Sequence, residues 1–399
     1  MFLIGKGSQT LRARCLLASL PIFLAACAQE LPPVATIQSP PITPTLTTSP
    51  TPILSSQLPA LPSAKQESKS LQSNTVYCPQ DLQFPGFPAR YQETLRHFAC
   101  QLQTQYGLPA RVVIPALQNA QFSARALALM TPPPPSATPR PPYPWWRYRN
   151  RFLQEDRIQK GIHFWQEHAQ IMEQVSRKYG VSPYILMGIL NIETGFGAFQ
   201  GNFPVLDANL SLAAGLPARR NFFLYQTAET LKLAARLGVP VNTLRGSEAG
   251  AMGMSQFLAS SYLQYGTVWN DPPGEGLPDL WRSVPDVLAS TSRFFLAHGW
   301  QAGQPVLLPA TVTSPTQAKS LLQGRYSLAT LARFGVRPSN EASTLPGSML
   351  VGLLQLQTEE GPRFYLACPN FYAIMGYNPS INYSATVWAY ANALQARLG

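Results

Sequence analysis

The chain has 399 residues, of which 45% are hydrophobic and 12% charged, and its formal net charge is +11. The excess of 30 Lys and Arg over 19 Asp and Glu residues favours an acidic polymer or an anionic lipid surface as partner, although a plain solvated basic surface has the same composition. After residue 27 there is no run of 18 apolar residues, which excludes a membrane-spanning helix there.

The first 26 residues predict a secretory signal peptide. Lys6, Arg12 and Arg14 form a basic region, and residues 16–26 form an apolar segment that is too short to span a membrane. Removal of the signal takes away these three positive charges and lowers the net charge to +8. An exported protein has little access to nucleic acid, so we expect no nucleic-acid partner.

Residues 24–27, Leu-Ala-Ala-Cys, resemble a bacterial lipobox. This resemblance implies cleavage before Cys27 and acylation of that cysteine, and several acyl chains hold a protein stably on a bilayer. Ala28 stands where an Asp tends to retain such proteins in the inner membrane. We therefore expect a periplasmic protein anchored to the outer membrane. The alternative is an ordinary signal peptide followed by an incidental cysteine.

Residues 27–75 predict a lipid-anchored, disordered tether. The segment is rich in Pro, Ser and Thr and has few charges, so it cannot bury a core. The remainder, residues 76–399, is long enough for one large domain or two lobes. A second proline tract at 132–144 predicts a surface excursion within it.

The domain at 76–399 is mainly helical by its hydrophobic pattern. Helices are predicted at 89–107, 155–179, 184–193, 227–237, 284–298 and 384–398. Strands at 349–357 and 363–368, joined by Glu-Glu-Gly-Pro, predict one β-hairpin.

The cysteines and histidines do not form a zinc motif. His163 and His168 are five residues apart and do not share a helical face, and there is no Cys-x-x-Cys. The periplasm permits disulfides. Cys78, Cys100 and Cys368 allow three pairings, of which we favour Cys78 with Cys100.

The segment from Asp271 to Arg282 resembles an EF-hand calcium loop that has lost ligands. Asp271, Glu275 and Asp279 occupy its first, fifth and ninth positions. Pro273 stands at the third position, and Arg282 stands where the bidentate Glu belongs. We therefore expect no cofactor, with a weak calcium site at these three carboxylates as the alternative.

One apolar helix ends in a single carboxylate. Pro183 favours a helix start, residues 185–192 are almost all apolar, and Gly195 and Gly197 end the helix directly after Glu193. Burial and the negative end of the helix dipole both disfavour the charged form of the carboxyl group. A raised pKa suits a general acid at neutral pH. The alternative is a glutamate that reaches solvent where the helix ends.

The segments around this helix form a series with a specific order and spacing. They are residues 145–152 and 161–165, then GNFPVLDA at 201–208, RRNFF at 219–223, SEAGAMGMSQF at 247–257, DLW at 279–281, HGW at 298–300, PNFYAI at 369–374 and YN at 377–378. Together they resemble the membrane-bound lytic murein transglycosylase B family, from about residue 90 to the C-terminus.

This resemblance implies a lysozyme-like core with flanking helical and small β subdomains around a sugar-binding groove. It also implies cleavage of the β-1,4 bond between N-acetylmuramic acid and N-acetylglucosamine in peptidoglycan, with 1,6-anhydro ends and Glu193 as the catalytic residue. One carboxylate can act first as acid and then as base, whereas an ordinary glycosidase needs a second. Asp207 and Glu248 are the nearby candidates, and neither matches a catalytic position of the family.

Seven further residues are assigned to substrate binding. Hydroxyl and amide groups suit sugar hydroxyls and N-acetyl groups, and aromatic faces stack on sugar rings. Five of the seven match family positions, Tyr148 matches by its spacing from Glu193, and Phe222 stands where a tyrosine is expected. The residues are Ser247, Gln256, Tyr377, Asn378, Tyr383, Tyr148 and Phe222. Each could instead be a packing residue.

Two alternative functions are compatible with the same residues. One is a hydrolytic muramidase that uses Glu193 with water and releases reducing ends. The other is a non-catalytic peptidoglycan-binding lipoprotein that keeps the groove as a binding surface.

Overall fold

The computed structural model describes residues 76–78, 80–134, 143–271, 276–322, 324–339 and 345–399. The predicted signal peptide, Cys27, the tether and part of the second proline tract lie outside these residues. No helix in the described ranges is long and apolar enough to cross a membrane.

The described residues form a mainly α structure, as predicted. Its α-helices, in chain order, are α1 (Gln92–Thr104), α2 (Ala110–Asn119), α3 (Ala124–Met130), α4 (Trp145–Arg149), α5 (Glu155–Tyr179), α6 (Pro183–Thr194), α7 (Val205–Gly215), α8 (Arg220–Leu237), α9 (Ala259–Tyr265), α10 (Val284–Ala297), α11 (Pro315–Ala318), α12 (Leu328–Arg333), α13 (Pro369–Tyr377) and α14 (Ile381–Leu398).

The strands form two sheets. A short antiparallel pair joins β1 (Phe203–Pro204) to β2 (Arg245–Gly246). The second sheet is antiparallel in the order β4-β6-β7-β3-β5. Its strands are β3 (Leu307–Val312), β4 (Arg325–Ser327), β5 (Val336–Pro338), β6 (Leu350–Thr358) and β7 (Gly361–Ala367).

All six predicted helices and the predicted hairpin are present. Two helices start earlier than expected: α8 begins at Arg220 and α14 at Ile381, and the additional helical residues Phe223, Leu224 and Tyr383 are buried in the core. The sequence pattern missed α7, whose residues are apolar on nearly all sides and so show no helical period. It also missed β3 and β4, which are stabilised by pairing with the hairpin, and β5, which pairs with β3.

Three hydrophobic clusters hold the fold together. The largest surrounds α6 and includes α5, α10, α13 and α14. A second joins α1, α2 and α3 to α7 and α8. The third lies under the five-stranded sheet and contains the buried free thiol of Cys368. The predicted Cys78–Cys100 disulfide is present and ties the start of the described chain to α1.

Within the main cluster, α6 packs against α14. A Cβ atom placed on Gly188 would lie 2.9 Å from the carbonyl oxygen of Val387, so only glycine fits this approach without a shift. Similarly, a Cβ atom on Gly161 of α5 would lie 2.3 Å from the hydroxyl of Tyr390. Gly188 therefore lets the backbones of α6 and α14 approach closely, and Gly161 leaves room for the hydroxyl of Tyr390.

Candidate active site

Glu193 lies at the end of α6 and is almost enclosed. Ser182 occupies the N-cap position without a side-chain cap hydrogen bond, and Pro183 is the first helical residue. Gly195 adopts a left-handed conformation (φ 59°) that ends the helix. Glu193 is 8% exposed, and burial raises the pKa of its carboxyl group from 4.5 to about 8.

Tyr383 of α14 is the direct hydrogen-bond partner of Glu193. Its hydroxyl donates to Oε1 of Glu193 over 2.5 Å, and the tyrosine is 1% exposed. This hydrogen bond favours the charged carboxylate and opposes the larger effect of burial on the pKa of Glu193. The donor also fixes one carboxyl oxygen, which leaves Oε2 for other partners.

Two more phenol groups lie in the electrostatic field of Glu193. Burial and the negative charge of Glu193 raise the pKa values of Tyr148 and Tyr377. The hydroxyl of Tyr377 donates to the carbonyl oxygen of Ser255. The ring of Tyr148 packs against Phe152 at 5.3 Å between centroids. The structure thus brings together the three tyrosines that the sequence assigned to the groove.

The segment 247–257 folds into a turn and a short bridge beside the end of α6. The hydroxyl of Thr194 accepts from the amide of Gly197 and donates to the carbonyl of Met254. Met252 and Phe257 pair in an antiparallel β-bridge. This loop is therefore hydrogen-bonded to the residue next to Glu193.

Ser247 and Gln256 stand at the two ends of this loop. Oγ of Ser247 accepts from the amide of Ala251 over 3.2 Å, which makes the serine a turn residue. Gln256 has a left-handed backbone (φ 51°), and its side-chain amide donates to the carbonyls of Gly253 and Gln200. A non-glycine residue in this conformation is uncommon and marks a position held by its surroundings.

Asn378 and Phe222 have different surroundings. Asn378 follows α13, and its buried Oδ1 has no hydrogen-bond partner within the described residues. Such an atom can accept a hydrogen bond from a ligand. Phe222 lies on α8, 36% exposed, where its ring contacts Phe223 and the guanidinium of Arg219. These contacts do not connect Phe222 to Glu193, so its assigned role in the groove stays a prediction.

A hydrogen-bonded clamp on α6 was not recognised from the sequence. Nη1 of Arg157 donates to the backbone carbonyl (3.0 Å) and to Oδ1 (3.1 Å) of Asn191, two residues before Glu193. Nδ2 of Asn191 donates to the carbonyl of Phe152, and the hydroxyl of Tyr390 donates to the carbonyl of Arg157. The clamp joins α5, α6 and α14. No spacing rule marks it, because its members are far apart in the chain.

In the described part of the degenerate calcium loop, the carboxylate of Asp279 is bonded within the protein. Oδ1 of Asp279 accepts from the amides of Trp281 and Arg282, and Oδ2 pairs with Nε of Arg282 at 3.2 Å. Glu275 lies outside the described residues, and no cluster of three or more His, Cys, Asp or Glu side chains occurs within them. Instead, the carboxylate of Asp286 accepts from the amides of Trp269 and Asp279 and so pins the loop at both ends.

The chain is similar in sequence and in structure to several known proteins. The transglycosylase SLT domain family matches residues 90–392. The membrane-bound lytic murein transglycosylase B of Escherichia coli (strain K12) is 33% identical over 305 residues, which cover 75% of this chain and 82% of that protein. Catenated lytic transglycosylase SltB1 of Pseudomonas aeruginosa has a TM-score of 0.70 at 28% identity, covering 79% of this chain and 100% of that chain. An Escherichia coli lytic transglycosylase solved with calcium has a TM-score of 0.66 at 30% identity, covering 77% and 96% of the two chains.

These similarities define a lysozyme-like, mainly helical protein with a small β region. The chain belongs to the transglycosylase SLT domain family, and it is a lytic murein transglycosylase. The order of the motifs predicted this family from about residue 90 onward, and the match over residues 90–392 confirms it. Lytic transglycosylases need no cofactor.

Proposed function

We propose that this enzyme cleaves the β-1,4 bond between N-acetylmuramic acid and N-acetylglucosamine in peptidoglycan without consuming water. The observation that carries the proposal is the enclosed carboxyl group of Glu193. Its pKa of about 8 keeps the group mostly protonated at neutral pH, as a general acid requires. The hydroxyl of Tyr383 holds it from one side.

In the proposed reaction Glu193 acts twice. Its proton passes to the glycosidic oxygen as the bond from C1 of the muramic acid to that oxygen breaks, which leaves the leaving sugar with a hydroxyl group. The resulting carboxylate then takes the proton of the C6 hydroxyl, whose oxygen forms the new bond to C1. This cycle returns Glu193 to its protonated form and produces a 1,6-anhydro end.

A hydrolytic reaction would call for a second carboxylate near Glu193. The pKa of Glu193 is set by burial and by Tyr383, with no contribution from another acid among the described residues. Asp207 is engaged elsewhere, because its Oδ1 accepts from the amide of Gln121. Glu248 is a half-buried loop residue. These positions favour the non-hydrolytic reaction.

The groove residues are proposed to hold the glycan strand around Glu193. Tyr148, Tyr377 and Tyr383 provide hydroxyl groups and ring faces near the carboxyl group, and the free Oδ1 of Asn378 provides an acceptor. Ser247, Gln256 and Phe222 are proposed as outer contacts. Acylated Cys27 and the tether at 28–75 are proposed to let this domain reach the cell wall from the periplasmic face of the outer membrane.

The masses of the released fragments test this function. The purified protein is incubated with isolated peptidoglycan, and soluble fragments are analysed by mass spectrometry. We expect anhydromuropeptides. Fragments heavier by one water would replace the proposal with a hydrolytic muramidase. If the protein binds to sedimented peptidoglycan and releases no fragment, a non-catalytic wall-binding lipoprotein would replace the proposed enzyme.

Replacement of Tyr383 by Phe should shift the pH dependence of the reaction. The lost hydrogen bond had favoured the carboxylate, so the pKa of Glu193 rises above about 8. Because the acid must be protonated, the alkaline limb of the pH–rate profile should move up by roughly one pH unit, and kcat should fall about tenfold through loss of orientation. The control is Tyr390→Phe on the same helix, whose hydroxyl donates to a backbone carbonyl instead. An alkaline limb that stays at the same pH or moves to lower pH would contradict the role of Glu193 as the proton donor held by Tyr383.

Calcium should leave the stability of the protein unchanged. Asp279 is committed to two amides and to Arg282, which places a positive charge where a ligand would be needed. We expect the melting temperature to be the same in millimolar calcium and in a chelator. A calcium-dependent rise that disappears in Asp271→Asn would show that the loop binds the ion.

A further inference from the structure

The last turn of α6 is held on the side that faces away from Glu193. Asn191 and Glu193 are two residues apart in this helix, which places their side chains roughly 200° apart around its axis. Asn191 is 1% exposed. A shift or rotation of this turn would move both side chains together. The contacts of Asn191 therefore also set where the carboxyl group of Glu193 lies.

Arg157 of α5 makes the first contact with this side of α6. Its Nη1 donates to the backbone carbonyl of Asn191 over 3.0 Å and to the side-chain Oδ1 over 3.1 Å. The backbone carbonyl also accepts from the amide of Gly195, which is the C-cap of the helix. A positive charge beside the last carbonyls of a helix complements the negative end of its dipole. Arg157 thus binds the last turn through its backbone and through a side chain.

Asn191 extends this contact to the segment that joins α4 to α5. Its Nδ2 donates to the carbonyl of Phe152 over 3.1 Å, and both residues are buried. The guanidinium carbon of Arg157 lies 5.3 Å from the centroid of the Phe152 ring, within the range of a cation–π contact. Each of the three residues therefore contacts the other two, and together they join α5, α6 and the end of α4.

The same segment supports Tyr148, which lies near the carboxyl group of Glu193. The rings of Phe152 and Tyr148 pack with their centroids 5.3 Å apart. Burial and, to a smaller degree, the charge of Glu193 raise the pKa of Tyr148, so the phenol lies within electrostatic range of the carboxyl group. Asn191 thus links the helix that carries Glu193 to the segment that supports Tyr148.

We propose that Arg157 and Asn191 are positioning residues that hold the carboxyl group of Glu193 at hydrogen-bonding distance from the glycosidic oxygen of the bound substrate. Asn191 is too buried to touch the substrate, and Arg157 acts through Asn191. Tyr390, the third member of the clamp, bonds only the backbone of Arg157 and is not part of this pair. The inference rests on the proposed function, because it takes Glu193 as the proton donor.

The test measures kcat and KM for fragment release from soluble glycan strands by the full-length protein in detergent. Arg157→Ala and Asn191→Ala should each lower kcat about tenfold, since a misplacement of a catalytic group by about 1 Å can cost up to 10²-fold. KM should stay within about twofold. The proposed groove residues on α13, α14 and at 247–257 have no hydrogen bond to this pair in the part of the chain that is described. Arg157→Lys, which keeps a charged donor, should recover part of the loss in kcat.

The double variant Arg157→Ala/Asn191→Ala tests whether the two residues act as one unit. Residues that support the same contact have non-additive effects. The kcat of the double variant should therefore be close to that of the less active single variant, about tenfold below the wild type. Independent effects would multiply to about 100-fold, and that result would contradict the inference.

Arg397→Ala is the matched control. Arg397 of α14 also donates to a residue of α5, through two bonds of 3.0 and 3.1 Å to Glu155. Within the described ranges neither member of this exposed pair is hydrogen-bonded to α6. The control should therefore keep the kcat and the KM of the wild type. A loss of kcat as large as that in Arg157→Ala would show a general loosening of α5 and would overturn the inference. Melting temperatures show that each variant is folded.

The outcomes separate this inference from the proposed function. If the wild type releases anhydromuropeptides and both single variants keep its kcat, the positioning role is wrong and the proposed function stands. If the fragments are heavier by one water, the proposed reaction is wrong, and a loss of kcat in the variants still supports the positioning of Glu193 as the acid. A raised KM with an unchanged kcat would assign the pair to substrate binding and overturn the inference. A wild type that releases no fragments would overturn both.

Discussion

Replacement of Glu193 by Gln should lower the rate of fragment release by about 10³-fold or more, because one group is proposed to carry both proton transfers. The amide is close in size and can still accept the hydrogen bond from Tyr383 at Oε1. It cannot donate a proton to the glycosidic oxygen and then recover one. The measurement is the initial rate of anhydromuropeptide release, with binding to sedimented peptidoglycan as a check on the groove.

The matched control is Glu229→Gln. Glu229 is another buried helical glutamate, 9% exposed, and it pairs with Lys232 at 2.8 Å on α8. Its replacement should reduce stability slightly and leave the rate per folded molecule unchanged. Residual activity in Glu193→Gln within tenfold of the wild type would remove Glu193 from its proposed role.

The same Glu193→Gln variant should be more stable than the wild type at alkaline pH. The folded protein raises the pKa of Glu193 from 4.5 to about 8, so it binds this proton more tightly than the unfolded chain does. The associated stability is fully present below pH 4.5 and is lost as the pH rises to about 8. The Glu193→Gln variant does not lose this stability, because its amide has no proton to release in this pH range. We expect its gain in melting temperature to be near zero at pH 4 and largest above pH 8.

Replacement of Gly188 by Ala should destabilise the fold by about 1–3 kcal/mol, the usual cost of overpacking a core. The added methyl group would meet the backbone carbonyl of Val387 at 2.9 Å, and a backbone atom cannot rotate away. The required separation of α6 from α14 would also lengthen the hydrogen bond between Tyr383 and Glu193. Chemical denaturation measures the loss of stability, and kcat should fall even under conditions where the variant is fully folded.

Gly347→Ala is the comparison for this effect. A Cβ atom at Gly347 would lie 3.6 Å from the nearest side chain, which is an ordinary contact. Its change in stability should stay within about 0.5 kcal/mol, as for other surface substitutions. A Gly188→Ala variant as stable as Gly347→Ala would mean that α14 can shift without cost. The proposed coupling of this crossing to the active site would then be wrong.

Much of the fold could be predicted because it is local. The 3.6-residue period of α5 predicts the bounds of that helix, and Pro183 and Gly195 predict the ends of α6. In contrast, β4 and β5 are three residues each and have no pattern of their own. They exist because their backbone groups pair with longer strands far away in the chain.

The sequence by itself determined the candidate acid and its family. An apolar helix that ends in one glutamate before two glycines is a local signal, and the order of the surrounding motifs identifies the lytic transglycosylases. Only the tertiary structure decided what contacts Glu193. Tyr383 is 190 residues away, and its hydrogen bond depends on the crossing of α6 and α14, where Gly188 lets the two backbones approach closely. Burial and hydrogen bonding set the pKa of a carboxyl group, and both are properties of the packed chain, which no spacing in the sequence contains.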